Sequence, residues 1–441
     1  MCSGLFMLRI SDIIRVVIKY RLDEYLFRGA KTRLLLLAGK SVRSIFTHET
    51  VDGTVGYRIR KALEELGPVY VKFGQMLSSR PDIVPPSVVK ELELLRESVQ
   101  PFDSHTAVKI LEDDLGLSLN EIFADFDLTP IAAGSVAQVH YAKLITGELV
   151  AVKVLRPNIE IQIKKDITLF RQVVSLVEIY KPDIKKIKIS KIIDELSHSI
   201  LAELDLRKEA SSIARFAENM KELPYVHVPR VYSQWSGKNI LTMERMQGTP
   251  INHVDDLRAQ GVDIDKLVSQ GLESLVVQIF RDGFFHADQH PGNLWVKPDG
   301  TRIYLDFGIM GELSKQDRTT LLKILFALYT NNTKKIISLI TEAGWLPSVA
   351  NSIEIENVLN TASQSIVNRR QQDFSLGQVV ADLFRSLEKF DVNVPYQFTL
   401  LAKTILVIEG ITKQLTPYLD MSTLIGPILL KYFAAEKKTS C

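Results

Sequence analysis

Apolar residues recur every three or four positions over long stretches of this chain, a spacing that predicts amphipathic helices. Gly67-Pro68 interrupts the pattern, because glycine and proline both disfavour the interior of a helix. The predicted helices run from about Leu5 to Leu66, Val71 to Ser79, Ser104 to Leu115, Ile159 to Tyr180 and Ile189 to Lys221. From Gly248 onwards the pattern is mainly helical again, so helices are expected to dominate the fold.

Shorter apolar runs bounded by turn residues predict two β-hairpins. Thr146-Gly147-Glu148 and Pro298-Asp299-Gly300 supply the turns. The paired segments are Val136–Ala142 with Leu149–Leu155 and Leu294–Val296 with Arg302–Leu305, and further strands are predicted at Val228–Tyr232 and Ile240–Glu244. A small β-rich unit therefore precedes a larger helical one, which predicts the α+β fold class.

The length of the chain limits the number of its packed units, and its net charge limits the partners that it is expected to bind. A chain of 441 residues is expected to form two or three packed units. Its 54 Lys and Arg residues nearly balance 52 Asp and Glu residues, and the net charge is +2. This is not the basic field that dominates nucleic-acid binding, so no nucleic-acid partner is expected.

The termini bear on the cellular compartment. The two cysteines, Cys2 and Cys441, have no disulfide or metal-ligand spacing, which predicts a reducing compartment. Arg9, Asp12 and Arg15 interrupt the N-terminal apolar stretch, so no signal peptide is predicted. No uncharged apolar run reaches the roughly 18 residues of a spanning helix. We therefore expect a cytoplasmic location in a bacterium and no transmembrane span.

An apolar helix face near the N-terminus leaves two alternatives open. The face contains Ile10, Ile13, Ile14, Val17 and Ile18, and basic residues outnumber acidic ones in the first sixty positions. Such a face either makes a peripheral contact with anionic lipids, on the inner face of the cell membrane, or packs against its own domain.

Two segments carry candidate chemistry. His286-Ala287-Asp288-Gln289-His290-Pro291-Gly292-Asn293 precedes the second hairpin, and Asp306-Phe307-Gly308 follows it. Asn293 and Asp306 offer the oxygen ligands that Mg²⁺ prefers, and Asp288 is placed to hold or deprotonate a nucleophile. The order H-x-D-x-x-x-x-N, hairpin, D-F-G matches the protein-kinase signature.

A kinase also needs a lysine on its third strand to hold the α- and β-phosphates, and Lys153 in Val150-Ala151-Val152-Lys153 occupies such a strand. The preceding loop, Ala132-Ala133-Gly134-Ser135, lacks the G-x-G-x-x-G of ordinary protein kinases. Alanine restricts φ and keeps the backbone farther from phosphate oxygens, so nucleotide binding is expected to differ from the ordinary case.

The chain resembles the UbiB family of atypical kinase-like proteins, which support ubiquinone biosynthesis. Lys72-Phe73-Gly74-Gln75 is similar to the KxGQ motif of that family, and Glu203-Leu204-Asp205 to its ExD motif. Ala132 to His140 resembles its alanine-rich loop, and His286 to Asn293 its HxDxHPGN catalytic loop. Ordinary kinases lack KxGQ and ExD, so the resemblance is specific.

The resemblance implies roles for individual residues. Lys153 is implied to be the nucleotide lysine with Glu209 as its helix partner, Asp288 the catalytic-loop aspartate, and Asn293 and Asp306 the ligands of Mg²⁺. The loop Ala132, Ala133, Gly134, Ser135 and Val136, together with Glu244, is implied to bind ATP. Lys72, Gln75, Glu203 and Asp205 are the family-motif residues, and the KxGQ segment is implied to cover the site where a protein kinase binds its peptide.

The sequence also raises three points of detail. On an ideal helix Glu203 lies about 120° around from Glu209, so either it meets Lys72 from another side or the helix starts irregularly there. Gly134 stands where many relatives have alanine, which eases close approach to phosphates. Gln289 stands where proline is usual, and we expect it to loosen the catalytic loop.

The resulting hypothesis is a protein-kinase-like bilobal fold preceded by a helical N-terminal extension. The predicted parts are a helical segment at 1–60, a KxGQ-containing helical extension at 61–105, an N-lobe with a helical insertion at 106–247 and a C-lobe at 248–441. The expected function is an ATPase or phosphotransferase in ubiquinone biosynthesis, working with quinone-biosynthesis proteins or lipid quinone precursors. The alternatives are a small-molecule phosphotransferase of the aminoglycoside or choline kinase type and a non-catalytic, nucleotide-gated scaffold.

Overall fold

A computed structural model of the protein describes most of the chain, and it divides into two compact units. The first comprises Met1–Lys208 and Ser233–Thr242, and the second Glu209–Tyr232 and Met243–Cys441. The described residues are 12–13, 15–22, 51–78, 84–95, 100–180, 193–194, 197, 200–330, 332–346, 355–357 and 394–418. The predicted four-part division of the chain stays a prediction.

The first unit begins with a group of helices. In chain order they are α1 (Val55–Leu66), α2 (Pro68–Ser78), α3 (Pro86–Leu92), α4 (Ser104–Leu115) and α5 (Leu119–Ile122). The Thr54 side chain accepts a hydrogen bond from the Tyr57 amide and caps α1. The predicted helix from Leu5 to Leu66 is therefore wrong as one element, because residues 51–54 are not helical. Gly67, with φ of 107°, separates α1 from α2 as expected.

The predicted N-terminal apolar face is described only in part. Ile13 packs against the main core of the first unit, and Ile18 is buried. Their neighbours Val16 and Tyr20 form a small cluster with Ala62 of α1. For these residues the helix packs against its own unit, whereas Ile10 and Ile14 lie outside the described residues.

A five-stranded antiparallel sheet follows in the first unit. Its strands are β1 (Phe123–Phe126), β2 (Ala132–Ala133), β3 (Ala137–Leu144), β4 (Leu149–Leu155) and β6 (Ile240–Glu244), in the order β1-β3-β4-β6 with β2 also pairing with β3. The predicted first hairpin is confirmed, and its register places Val139 opposite Lys153. β1 was not predicted, because its burial follows no simple alternation along the four residues.

A long helix, α6 (Ile159–Tyr180), confirms the prediction for that segment. The predicted helix from Ile189 to Lys221 is wrong as one element, because the chain leaves helical geometry at Glu203–Asp205 and α7 (Leu206–Met220) begins afterwards. The Asp205 side chain accepts from the Arg207 amide at 3.2 Å and so starts α7. The irregular start at the ExD motif is therefore confirmed.

The second unit contains two small sheets. β5 (Val226–His227), β10 (Arg302–Tyr304), β9 (Leu294–Val296) and β7 (Thr249–Pro250) form one in that order, and β8 (Phe284–His286) pairs with β11 (Met310–Glu312) in the other. The hairpin of β9 and β10 confirms the prediction. The predicted strand Val228–Tyr232 is wrong: the strand is β5, and Val231 makes an isolated bridge to Met243.

Helices make up the rest of the described second unit. They are α8 (Val254–Ala259), α9 (Ile264–Val276), α10 (Lys315–Tyr329), α11 (Thr333–Glu342) and α12 (Tyr396–Leu415), with a π-helical segment at Val277–Asp282. Phe216, Phe285, Tyr304 and Phe307 are fully buried in its core. Helices together with mainly antiparallel sheets confirm the α+β class. In the described ranges, every helix is too short or too polar to cross a bilayer.

Candidate active site

The segment from His286 to Asn293 connects β8 of one sheet to β9 of the other sheet in the second unit. Asp288 follows the end of β8, a 3₁₀ turn at Pro291–Asn293 leads into β9, and Asp306 follows the end of β10. The Leu305 amide donates to the Asn293 carbonyl at 2.9 Å, which extends the β9–β10 ladder to the residue before Asp306. The structure thus brings Asn293 and the start of the Asp306-Phe307-Gly308 turn together.

The His286 side chain links the segment that contains Asp288 to the segment that contains Asp306. Its Nδ1 accepts a hydrogen bond from the Asp288 amide at 3.3 Å, so the proton resides on Nε2, which donates to the Leu305 carbonyl at 3.0 Å. The ring is fully buried and meets Phe307 edge-on, with centroids 5.2 Å apart. One neutral imidazole therefore holds the backbone next to Asp288 and next to Asp306.

Burial lowers the pKa of His286, which keeps the imidazole neutral. The hydrogen bond to the Leu305 carbonyl and the negative charges of Asp288 and Asp306 oppose this effect without reversing it. A neutral ring is required here, because the protonated form has a hydrogen on Nδ1 and could no longer accept from the Asp288 amide.

Beneath the loop lies a network of buried amide and hydroxyl groups. Gln278, in the π-helical segment, accepts from the His286 amide at 3.1 Å and donates to the Tyr304 hydroxyl at 3.3 Å. Gln289 is also buried, and its Nε2 donates to the His286 carbonyl at 3.0 Å. This side chain ties the loop to the strand before it, and the expectation that Gln289 loosens the loop relative to proline stays a prediction.

Asn293 and Asp306 fit a magnesium ion by their donor atoms. Asn293 Nδ2 donates to the Asp288 carbonyl at 3.0 Å, which identifies Oδ1 as the atom left to act as a metal ligand. Asp306 is exposed and adopts a φ of 49°, a left-handed conformation that aspartate tolerates. Among the described residues no group of three or more His, Cys, Asp and Glu side chains could hold a metal. Mg²⁺ needs fewer, since substrate phosphates and water complete its shell.

Two nitrogen-bearing side chains flank the Asp288 carboxylate. Lys403 Nζ of α12 lies 3.5 Å from Oδ1, and His290 Nε2 lies 3.7 Å from Oδ2. Lys403 was not found from the sequence, because it is separated from Asp288 by 115 positions and no local pattern marks it.

The alanine-rich loop is part of the sheet in the first unit. Ala132 and Ala133 form β2, and the Gly134 amide donates to the Ala137 carbonyl at 2.8 Å. Arg156 fixes the loop from behind: its backbone amide donates to the Val136 carbonyl at 2.8 Å and its Nε to the Gly134 carbonyl at 3.0 Å.

Ser135 provides the observation that fits a nucleotide phosphate. Its side chain is buried, and within the described chain Oγ has no hydrogen-bond partner. A buried hydroxyl without a partner is costly, and a phosphate oxygen is an acceptor that would satisfy it. The loop residues therefore suit a phosphate-bearing ligand.

Lys153 and Glu209 belong to different units. Lys153 lies on β4 with a half-buried side chain, and Glu209 is buried in the first turn of α7. Their pairing stays a prediction. Glu244 ends β6, where its carboxylate accepts from the Arg230 amide at 3.2 Å and contacts His227 at 3.1 Å. Its role in nucleotide binding also stays a prediction.

The KxGQ and ExD motifs meet in the first unit. Lys72 Nζ lies 3.0 Å from a Glu203 carboxylate oxygen, and both side chains are nearly buried. Gln75 donates to the Leu95 carbonyl at 3.1 Å. A Cβ at Gly74 would lie 2.4 Å from a Leu95 methyl group, so glycine permits the close approach of that side chain. Asp205 contacts Arg207 and starts α7.

The KxGQ helix is also packed against the alanine-rich loop. Tyr70 and Phe73 of α2 belong to a buried cluster with Ile163 of α6 and Leu204 of the ExD motif. Val136 of the alanine-rich loop packs against the same cluster. Two motifs that are far apart in sequence therefore share one hydrophobic core.

The chain is similar to known protein families and to curated proteins. The ABC1 atypical kinase-like domain matches residues 94–340, and the UbiB helical domain matches residues 359–420. The chain is 40% identical over 437 residues to a protein named "Probable protein kinase UbiB" from Xylella fastidiosa, covering 97% of this chain and 78% of that protein. A protein of the same name from Xanthomonas campestris pv. campestris is also 40% identical.

A solved structure supports the fold. Rv3197 from Mycobacterium tuberculosis, determined in complex with erythromycin, superposes with a TM-score of 0.53 at 23% identity, covering 88% of this chain and 95% of that one. Together with the ABC1 match, this confirms the kinase-like fold that the sequence predicted.

Proposed function

Because this chain belongs to the UbiB family of ABC1 atypical kinase-like proteins, we propose that it binds ATP with Mg²⁺ and uses it to support ubiquinone biosynthesis. ATP hydrolysis or phosphoryl transfer is coupled to lipid quinone precursors or to quinone-biosynthesis proteins. The observation that carries the proposal is the neutral His286 bridge, which orders the Asp288 and Asp306 segments together.

Each candidate residue has a role in the proposed chemistry. Asp288 orients the attacking water or hydroxyl group and accepts its proton. Asn293 and Asp306 bind the metal, and Lys153 neutralises phosphate charge with Glu209 as its partner. Bound Mg²⁺ supplies positive charge to the phosphate oxygens. The alanine-rich loop, with the Ser135 hydroxyl, and Glu244 contribute to nucleotide binding.

The KxGQ segment restricts the acceptor. The Lys72–Glu203 pair and the shared core hold this helix as a fixed part of its unit. The family resemblance implies that this helix covers the acceptor side, where a fixed helix would exclude a bulky protein substrate and leave room for water or a small hydroxyl compound. This supports an ATPase or a small-acceptor reaction over ordinary protein phosphorylation.

The decisive variant is Asp288→Asn. Loss of the carboxylate should lower ATP turnover about 10²- to 10⁴-fold, because general-base catalysis contributes that much, and ATP affinity should change little. Turnover is followed by phosphate release and affinity by calorimetry. Equal turnover in Asp288→Asn and the wild type would contradict the role of this residue.

The quinone connection needs a separate experiment. ATP hydrolysis is measured with and without anionic liposomes and with a phenolic quinone precursor. Stimulation by both is expected if lipid quinone intermediates are the ligands. A robust phosphorylated product from choline or an aminoglycoside would instead favour the small-molecule phosphotransferase, and nucleotide binding without any turnover would favour the scaffold.

A further inference from the structure

The C-terminal helix α12 supplies a positive charge to the catalytic loop. Lys403 Nζ lies 3.5 Å from Asp288 Oδ1. Lys403 falls within residues 359–420, matched by the UbiB helical domain, and outside the ABC1 match at 94–340. A segment beyond the kinase-like domain thus contributes a side chain next to the proposed general base.

The position of Lys403 is fixed by its neighbours. The adjacent Thr404 is fully buried, and its hydroxyl proton is shared between the Leu400 carbonyl of the same helix at 2.9 Å and the Ala287 carbonyl at 3.2 Å. Ala287 directly precedes Asp288. Leu401 and Ala402, which directly precede Lys403 in the helix, are also buried. Buried contacts therefore hold the helix at Lys403 next to the loop.

Charge and geometry suit a phosphate ligand. The segment between Asp288 and Asn293 contains Gln289, His290, Pro291 and Gly292, so the loop itself offers no lysine or arginine. A carboxylate beside an incoming triphosphate creates repulsion between like charges, which a nearby cation lowers. An ammonium group has three N–H donors, and the contact with Asp288 engages one of them. Lys403 and Asp288 are each about a quarter exposed, at 26%, so a ligand can reach them.

We propose that Lys403 is a phosphate-binding residue of the kinase-like site, whose ammonium group contacts the terminal phosphate of ATP while it pairs with Asp288. The inference rests on the proposed function, since it needs a nucleotide at this loop. It makes the UbiB helical domain a contributor to the active site. The discrimination of ATP from ADP then depends on a residue outside the kinase-like domain.

Calorimetric titration of Mg·ATP and Mg·ADP tests the inference with Lys403→Ala, Lys403→Arg and the control Lys413→Ala. Lys413 is an exposed lysine of the same helix. Lys403→Ala should weaken ATP binding about 10- to 100-fold, the range for loss of a hydrogen bond to a charged group. ADP affinity should stay within about twofold, because ADP lacks the γ-phosphate that Lys403 is proposed to contact. Lys403→Arg should restore most of the ATP affinity, and Lys413→Ala should match the wild type.

The outcomes separate this inference from the proposed function. Equal losses for ATP and ADP in Lys403→Ala would show a structural role and overturn the inference. Unchanged ATP affinity in Lys403→Ala, with a wild type that binds Mg·ATP, would overturn the inference alone. A wild type that binds no Mg·ATP would overturn the proposed function, and the inference with it.

Discussion

The KxGQ helix and the catalytic loop are each supported by buried polar side chains, but of opposite kinds. Lys72 and Glu203 support the helix through opposite charges. Neutral groups support the loop: His286, Gln278, Gln289 and the Tyr304 hydroxyl. Neutral supporting groups add no charge that would compete with the proposed metal ion and phosphate. The Lys72–Glu203 ion pair holds the KxGQ helix in place, but the stability of the helix then depends on both side chains.

The largest effect is expected at the charged pair. Lys72→Ala should lower the free energy of unfolding by about 3–5 kcal/mol, because it removes the ammonium group that lies 3.0 Å from the nearly buried Glu203 carboxylate. The double variant Lys72→Met/Glu203→Met should be close to the wild type or more stable. Urea unfolding of Lys72→Met, Glu203→Met and the double variant measures this cycle. Additive losses in the double variant would show that the two side chains do not depend on each other.

A somewhat smaller effect is expected at the neutral bridge. His286→Leu removes both hydrogen bonds of the ring, so the Leu305 carbonyl and the Asp288 amide lose a partner, at a cost of about 2–4 kcal/mol in unfolding free energy. The control is His290→Leu in the same loop, where the half-exposed side chain accepts one hydrogen bond, from the Gly292 amide, so the loss should be about 1 kcal/mol or less. Equal stability of the two variants would remove the supporting role of His286.

The two units should respond alike to acid. Burial lowers the pKa of His140 in the first unit and of His286 in the second below the ordinary 6.5. The unfolded chain therefore takes up protons first, so stability is full above pH 6.5 and falls as the pH drops below it. The slope is up to about 1.4 kcal/mol per pH unit for each histidine. Urea unfolding between pH 7.5 and pH 5 tests this, and a flat profile across that window would contradict it.

The smallest effect is expected at an exposed pair of the first unit. Arg171 and Asp194 are 2.7 Å apart, but about half of each side chain is exposed. Asp194→Ala should therefore lower the free energy of unfolding by less than about 1 kcal/mol. A loss as large as that of Lys72→Ala would mean that burial does not explain the difference between the pairs.

Local signals in the sequence predicted the elements that local residues determine. The turn around Gly147 and the turn around Gly300 fixed the two hairpins, and Gly67-Pro68 separated α1 from α2. β8 and β11 were not predicted, because each has only three residues and the two strands are separated in sequence by the β9–β10 hairpin. They pair with His286 opposite Met310. Their pairing depends on tertiary packing, which short apolar runs do not encode.

The candidate site was predictable to the extent that motifs carry it. The loop from His286 to Asn293 and the Asp306 turn were found, and Lys72 and Glu203 are in contact. The support of the loop by Gln278 and Gln289 and the approach of Lys403 were missed. A glutamine in a helix and a lysine on a distant helix have no distinctive spacing, so only the fold reveals them.

The most direct test of the kinase-like chemistry is the dependence of ATP affinity on Mg²⁺, measured by calorimetry in the wild type and in Asp306→Ala. The wild type should bind ATP at least about tenfold more tightly with Mg²⁺ than with a chelator, because the metal links the phosphates to the protein. Asp306→Ala should lose this enhancement. Affinity that is independent of Mg²⁺ in the wild type, or an enhancement that Asp306→Ala retains in full, would contradict the assignment of Asp306 as a metal ligand.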